Sequence, residues 1–261
     1  MRRRTIYAAT SLEILRDSRD DEAVQSLFLT GTDTGVGKTV LAAALLAAAR
    51  ARGIDAVPMK PVQTGCLRRG RTLAAPDLEF CLSAADLEPA PEELRWMCPY
   101  RFMLASSPHL AARKARVHIL EGFIARNFRR ILTQHEAVVV EGAGGVLVPI
   151  GDRRTMLDLM KTLGLPVLLA ARPGLGTLNH TLLSLRELRR AGLRILGVVF
   201  VDSARTTWGA IERDNLRTIR KLGGVPFVGR LSYLPGFARG RPTNRERRQI
   251  DRFFRALEEH L

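Results

Sequence analysis

The feature that most constrains the fold of this chain is an apolar segment that runs directly into a glycine-rich turn. Residues 27–39 read LFLTGTDTGVGKT, and an alanine-rich run, 40–50, follows at once. This order predicts a strand, a turn and a helix whose backbone N–H groups and lysine face bound phosphate. The strict motif would place a glycine at Thr32, whereas here Gly31 comes one step earlier, so the turn is a variant phosphate loop. A plain glycine turn with a solvated lysine is the alternative, but it leaves the Lys-Thr pair unexplained.

The length and composition are typical of one large α/β domain of 261 residues. No apolar run reaches the ~18 residues that cross a bilayer, so we expect no membrane partner. Arginines open the chain without a following apolar segment, which argues against a secretory signal. We expect residues 1–23 to form a poorly ordered extension and residues 24–261 to form a single domain.

The three cysteines, Cys66, Cys81 and Cys98, are odd in number and lack C-x-x-C spacing. This arrangement favours neither a disulfide framework nor a zinc site. Reduced thiols in a cytoplasmic protein are the simplest interpretation.

The formal net charge of +15 raises the question of a nucleic-acid partner. The excess is almost entirely arginine, since lysine occurs only at positions 38, 60, 114, 161 and 221. The arginines are scattered, with a denser run at 239–255, and no pattern of aromatic residues suited to stacking accompanies them. An arginine-rich composition or an anionic substrate explains the charge equally well, so we expect no nucleic-acid partner. Lys38 and Lys60 are notable because both fall in marked motifs, where a compact ammonium differs from a guanidinium.

Short apolar segments alternate with helical patterns along the chain. We predict strands at 25–30, 56–60, 137–141, 166–171, 195–201 and 227–231. We predict helices at 38–52, 74–83, 107–115, 121–134, 156–163, 177–191, 207–222 and 245–259. The proline-rich interval 89–99 is expected to be a surface loop. The predicted fold class is α/β, a mostly parallel, doubly wound sheet with helices on both faces.

Ligands of such sheets bind beyond the carboxyl ends of the strands, so the residues after each strand are the site candidates. Lys60 follows the second strand and is held extended by Pro61, and Thr64 adds a hydroxyl on the next turn. Glu141 ends the third strand, where a carboxylate suits a Mg²⁺ ligand or the orientation of a water molecule. The plainer alternatives are a solvated lysine and a surface glutamate before a glycine turn.

Other polar residues give weaker signals. The segment 172–180 reads RPGLGTLNH and opens a predicted helix, which makes it a second possible anion site. Asp77 fits an N-terminal helix cap as well as it fits a ligand. His109 lacks the Ser/Asp partner spacing of a catalytic triad, and an isolated histidine such as His180 is more often structural than catalytic.

Five motifs, taken in order, resemble those of the dethiobiotin synthetase family, whose fold is that of P-loop nucleoside triphosphatases. They are GTDTGVGKT at 31–39, KPVQTG at 60–65, SPH at 107–109, EGAGG at 141–145 and GLGTLNH at 174–180. Partitioning ATPases with a similar loop carry an extra lysine early in it, and this chain has none there. The resemblance covers nearly the whole chain from residue 27 to residue 234.

The resemblance implies a ligase that takes 7,8-diaminopelargonate, carbon dioxide and ATP with Mg²⁺ and closes a cyclic urea. A substrate amine captures carbon dioxide as a carbamate, which the γ-phosphate then activates as a carbamic-phosphoric anhydride. The second amine displaces phosphate. Such chemistry depends on positioning and charge neutralisation more than on a protein nucleophile.

By residue match, the resemblance also implies a role for each site position. The catalytic residues are Lys38, Lys60 and Thr64. The nucleotide phosphates are bound by Thr34, Gly35, Val36, Gly37, Lys38, Thr39, Glu141, Gly142 and Gly144. The substrate is bound by Thr32, Lys60, Thr64, Leu175, Gly176 and Asn179, partly across a homodimer interface. The metal ligands are Thr39, Asp77 and Glu141.

The chain departs from the family after the fifth predicted strand, where an asparagine often reads adenine. Here the sequence is Phe200-Val201-Asp202, which leaves the base preference open. Two other functions are weighed against the ligase. A regulatory or partitioning ATPase could bind nucleic acid through its arginines. A corrinoid-type amidotransferase would need a glutaminase domain, for which 261 residues leave no room.

Overall fold

Six parallel strands form the central sheet of this protein in a computed structural model that describes residues 26–205, 207–238 and 242–259. The strands are β1 (Leu27–Gly31), β2 (Ala56–Met59), β7 (Ala137–Gly145), β8 (Val167–Ala171), β9 (Ile195–Val201) and β10 (Phe227–Leu231). They lie in the order β10-β9-β8-β1-β7-β2, and every neighbouring pair is parallel. The phosphate loop therefore leaves the sheet from its centre. The predicted extension, 1–23, lies outside the described residues.

Two small two-stranded sheets accompany the central one. A parallel pair is formed by β3 (Val62–Thr64) and β6 (Tyr100–Phe102), and an antiparallel hairpin by β4 (Leu67–Arg69) and β5 (Thr72–Ala74). Strand β3 begins two residues after Lys60, and its pairing with β6 fixes the direction in which the chain leaves the central sheet at that point.

Ten helices lie within the described residues. They are α1 (Lys38–Arg50), α2 (Pro76–Ala84), α3 (Pro91–Met97), α4 (Pro108–Ala115), α5 (Glu121–Leu132), α6 (Met156–Leu163), α7 (Thr177–Arg190), α8 (Ala210–Gly223), α9 (Pro235–Ala238) and α10 (Asn244–Glu258). None of the helices that the structure describes combines the length and apolarity needed to cross a membrane.

The sheet is buried on both faces, as the unbroken apolar runs predict. Phe28 packs into one core beside helices α5 and α6, whereas its neighbours Leu27 and Leu29 pack into the other beside α1 and α10. All three side chains are fully buried. The predicted doubly wound α/β fold is confirmed.

Several local predictions are wrong, each for a physical reason. The interval 89–99 is not a loop throughout, because Pro91 begins α3, the Glu93 carboxylate accepts the Ala90 N–H at 2.7 Å, and Met97 is buried in the core. Helix α8 begins at Ala210 and not at 207, since the buried Trp208 holds the chain outside the helix.

Two further boundaries differ from prediction at the site itself. Strand β7 continues through Gly145 and does not end at Glu141, because Gly145 still pairs with Gly31 across a shift in register. Helix α2 begins at Pro76, since residues 72–74 belong to β5. Glu141 therefore projects from a strand and not from a turn.

We expect the three thiols to be unreactive in the native protein. Cys66, Cys81 and Cys98 are free and buried. Burial raises the pKa of each thiol, that of Cys98 to about 12, so little thiolate forms at neutral pH. A colorimetric thiol titration at pH 8 is expected to detect almost none of the three in native protein and all three in guanidinium. Rapid native labelling of any one would contradict this burial.

Candidate active site

The phosphate loop connects β1 to α1 and presents the uncapped N-terminus of that helix. Gly37 is the N-cap with φ of 92°, and no side chain of the described residues accepts a hydrogen bond there. The Asp33 carboxylate accepts the Thr34 N–H at 2.7 Å and pairs with Arg172 at 3.1 Å. These contacts shape the loop and leave the first amides of α1 free to meet an anion.

Lys38 lies on the inner side of this loop and is only 6% exposed. Its Nζ donates to the Asp33 carbonyl oxygen at 2.8 Å. Burial lowers the pKa of Lys38 to about 8, although Glu141 opposes the shift. A bound phosphate would replace the water that this ammonium has lost, which suits a group that contacts the nucleotide.

Lys60 is placed as the sequence predicts, extended after β2 and before Pro61, and it is buried. Its Nζ lies 2.6 Å from Glu141 Oε1 and 2.7 Å from Asp77 Oδ2. Burial alone would lower the pKa of Lys60, but the two carboxylates outweigh it and raise the pKa above its ordinary value. Lys60 is therefore a charged group clamped between two acids.

The hydroxyl of Thr39 joins the same cluster. It donates to Glu141 Oε1 at 2.9 Å, the oxygen that Lys60 also contacts. Carboxylate oxygens of Asp77 and Glu141 thus hold one cation, the ammonium of Lys60, and the Thr39 hydroxyl is bonded to the Glu141 oxygen that contacts it. Hard oxygen donors of this kind are the ligands that Mg²⁺ prefers.

A cavity of about 760 Å³ holds most of the predicted site. Its predicted lining residues are Thr34, Gly35, Gly37, Lys38, Thr39, Lys60, Thr64, Asp77, Glu141 and Gly144. The phosphate loop forms one side of it, and Lys60 with Thr64 forms the other. A volume of this size accommodates a phosphate chain and a small second substrate.

Some predicted residues support this cavity without lining it. Val36 is buried beneath the loop, and Gly142 packs so closely on Phe28 that a Cβ there would lie 2.9 Å from the ring. Sequence reasoning missed other residues that line the cavity, Gln63, Ser106 and Val148. Gln63 lies within the KPVQTG motif, which assigns it no role, and Ser106 and Val148 lie in loops outside the five motifs.

The predicted anion site at α7 is separate from this cavity. Thr32 and Leu175 line a second cavity of about 350 Å³ together with Arg172 and His180. Leu175 is 94% exposed, and Asn179 is exposed in the first turn of α7 without lining either cavity. Within one protomer, these residues are therefore not brought together with Lys60 and Thr64.

A third cavity, of about 560 Å³, lies beyond β9 and β10 and is lined by Asp202, Arg230, Tyr233 and Gln249 among others. Asp202 is buried, and its carboxylate accepts hydrogen bonds from Trp208 Nε1 at 2.9 Å and from Arg230 Nε at 2.8 Å. The carboxylate that follows β9 is thus already held by two side chains of the protein.

Comparison with known proteins finds close relatives. A family model described as an AAA domain matches residues 25–241. An ATP-dependent dethiobiotin synthetase from Anaeromyxobacter sp. (strain Fw109-5) is 41% identical over 82% of this chain and 93% of the relative. One from Anaeromyxobacter sp. (strain K) is 47% identical over 67% of this chain and 76% of the relative. One from Halalkalibacterium halodurans is 34% identical over 81% and 86%.

Solved structures confirm the fold alone. The septum site-determining protein MinD from Pyrococcus horikoshii, complexed with Mg-ADP, aligns over 90% of this chain and 95% of its own, with a TM-score of 0.56 and 14% identity. A ParA family ATPase from Chlorobium tepidum aligns over 92% and 100%, with a TM-score of 0.54 and 13% identity. The fold is that of P-loop nucleoside triphosphatases.

Proposed function

The chain belongs to the family of ATP-dependent dethiobiotin synthetases and is an ATP-dependent ligase that forms the ureido ring, and we propose that it does so through a carbamate held by Lys60. The substrates in this proposal are 7,8-diaminopelargonate, carbon dioxide and ATP. The observation that carries it is the pair of lysines in one cavity, Lys38 on the phosphate loop and Lys60 opposite it.

The phosphate loop binds the nucleotide in this proposal. The free amides at the N-terminus of α1 and the ammonium of Lys38 face the phosphates, and the Thr34–Gly37 segment forms the rest of the cradle. Lys38 stabilises the negative charge that develops on the transferring phosphoryl group.

Lys60 and Thr64 hold the second substrate. One amine of the diamine adds to the carbon of carbon dioxide and loses a proton, which leaves a carbamate anion. Lys60 neutralises this anion and Thr64 donates a hydrogen bond to it, so that its oxygen is aligned with the γ-phosphate. The oxygen attacks phosphorus as ADP leaves, and the second amine then attacks the carbonyl carbon and expels phosphate, which closes the urea.

Mg²⁺ belongs to the proposal because the residues present fit it. Asp77 and Glu141 supply oxygen donors around a position that already holds a cation, and Thr39 Oγ1 lies 2.9 Å from Glu141 Oε1. The described residues contain no group of three or more His, Cys, Asp or Glu that could hold a metal, so phosphate oxygens of the nucleotide would complete the ligand shell. When bound, Mg²⁺ neutralises negative charge on the phosphates.

We further propose a cytoplasmic homodimer. Leu175, just before α7, lines a cavity distinct from that of Lys60, and Gly176 and Asn179 are exposed beside it. A second protomer could bring this helix end to the substrate carboxylate, and the almost fully exposed Leu175 is the kind of side chain that an interface covers. Buried, reduced thiols and the use of ATP are consistent with the cytoplasm.

Phosphate release from ATP is expected to require both diaminopelargonate and bicarbonate, and mass spectrometry is expected to detect dethiobiotin. Double-stranded DNA is expected to leave the rate of phosphate release unchanged, because the proposal assigns each residue of the site to ATP, the metal or the small substrate. Stimulation by DNA without diaminopelargonate would favour a regulatory or partitioning ATPase instead.

A further inference from the structure

Lys60 makes an unusual set of contacts for a substrate-binding lysine. Its buried ammonium contacts Glu141 Oε1 at 2.6 Å and Asp77 Oδ2 at 2.7 Å. A lysine in this position uses two of its three N–H donors on carboxylates whose charges outnumber its own, so any third anion must compete with them for the ammonium.

The oxygens that hold Lys60 are those that the metal requires. Glu141 Oε1 accepts two hydrogen bonds, one from Thr39 Oγ1 at 2.9 Å and one from Lys60 Nζ at 2.6 Å. The same carboxylate oxygen therefore contacts both Lys60 and the third predicted metal ligand, Thr39. A divalent cation bound at ~2.1 Å from these oxygens would lie within the contact distance of the ammonium. Two cations cannot share that position, because their repulsion in a buried site is strong.

We propose that Lys60 occupies the metal position in the empty enzyme and that the entry of the metal with the nucleotide moves Lys60 to the substrate side of the cavity. Asp77 and Glu141 then serve two cations in turn. The exchange couples the two halves of the site, since the carbamate-binding ammonium becomes available only when the phosphate half is loaded. This second step rests on the function proposed above, whereas the competition for the carboxylates does not.

The side chains in the cluster suit such an exchange. Lysine carries its charge as a compact ammonium on a flexible stem, whereas an arginine fork would be fixed in one plane. Asp77 is the solvent-accessible partner, with its side chain 34% exposed, whereas those of Lys60 and Glu141 are each 5% exposed. Thr64, which lines the same cavity, ends strand β3, four residues after Lys60, and marks the substrate side to which the released ammonium moves.

The test is the affinity of the nucleotide-free enzyme for Mn²⁺, measured by electron paramagnetic resonance. Lys60→Met is expected to lower the Kd for Mn²⁺ at least tenfold, because the competing ammonium is gone. Lys38→Met is the matched control for the loss of one positive charge, since Lys38 interacts with Glu141 through its charge but contacts the Asp33 carbonyl and neither carboxylate. We expect a change of less than threefold in that variant. An unchanged Kd in Lys60→Met, or an equal gain in Lys38→Met, overturns the proposal.

A second measurement uses the wild-type chain and so does not depend on the folding of a variant. A crystal structure with Mn²⁺ and ADP is expected to show the metal between Thr39, Asp77 and Glu141, with Lys60 Nζ more than hydrogen-bond distance from both carboxylates. A structure in which Lys60 keeps both contacts beside the bound metal contradicts the exchange. Either result leaves the ligase reaction to be judged separately by dethiobiotin formation.

Discussion

Replacement of Lys60 by alanine is expected to reduce substrate-dependent phosphate release at least ~10³-fold, somewhat more than the loss of one preorganised donor to a developing charge. The variant loses the ammonium that neutralises the carbamate and leaves Glu141 and Asp77 to repel it. Binding of ADP in the absence of a divalent metal is expected to stay within about threefold of wild type, since Lys38 and the loop amides are unchanged. Steady-state phosphate release and calorimetric titration with ADP measure the two quantities.

Lys60→Arg separates the effect of charge from that of shape. Arginine keeps the positive charge, but its planar fork cannot take the place of an ammonium between two carboxylates and then move from it. We expect the arginine variant to fold, which its melting temperature will report, and still to lose most of its turnover. Wild-type-like turnover in Lys60→Ala would remove the carbamate role altogether.

The central sheet could be predicted from the sequence because each of its strands is a short apolar run. Strands such as β8 and β9 are buried on both faces, so nearly all of their residues are apolar and each strand can be recognised as a short apolar run. The positions of Lys60 and Glu141 at the carboxyl edge follow from that same pattern, since β2 and β7 are neighbours in a parallel sheet.

The contact between Lys60 and Asp77 could not be predicted. Asp77 reaches the site because the exposed hairpin of β4 and β5 turns the chain back and places the first turn of α2 against the cavity. The direction of a surface hairpin depends on its packing against the rest of the fold, and periodicity in the sequence carries no information about it. The same holds for the division of the substrate-binding residues between two cavities, which a linear motif cannot show.

Gly37→Ala is expected to have the second largest effect, because it would damage both the fold and the phosphate loop. Gly37 has φ of 92°, and a Cβ there would lie 2.4 Å from Val201 Cγ1. The left-handed conformation costs a non-glycine residue ~1–2 kcal/mol, and the overlap adds ~1–3 kcal/mol. We expect the free energy of unfolding to fall by about 3 kcal/mol in urea denaturation. Displacement of the loop amides from the phosphates should weaken ATP binding by about 10²-fold.

Two comparisons separate backbone strain from steric overlap at Gly37. Gly53 has φ of 80° and open space where a Cβ would be, so Gly53→Ala should pay only for the conformation, ~1–2 kcal/mol. Val201→Ala removes the Cγ1 atom at 2.4 Å but leaves Val201 Cβ at 2.8 Å, so it relieves only part of the overlap. The double variant should still be more stable than the sum of the two single changes, by about 0.5 kcal/mol or more. If the two changes are simply additive, the contact between β9 and the phosphate loop is not what excludes a side chain at Gly37. If Gly53→Ala costs as much as Gly37→Ala, the conformation alone explains the glycine. A favourable coupling would instead show that β9 fixes the shape of the phosphate loop.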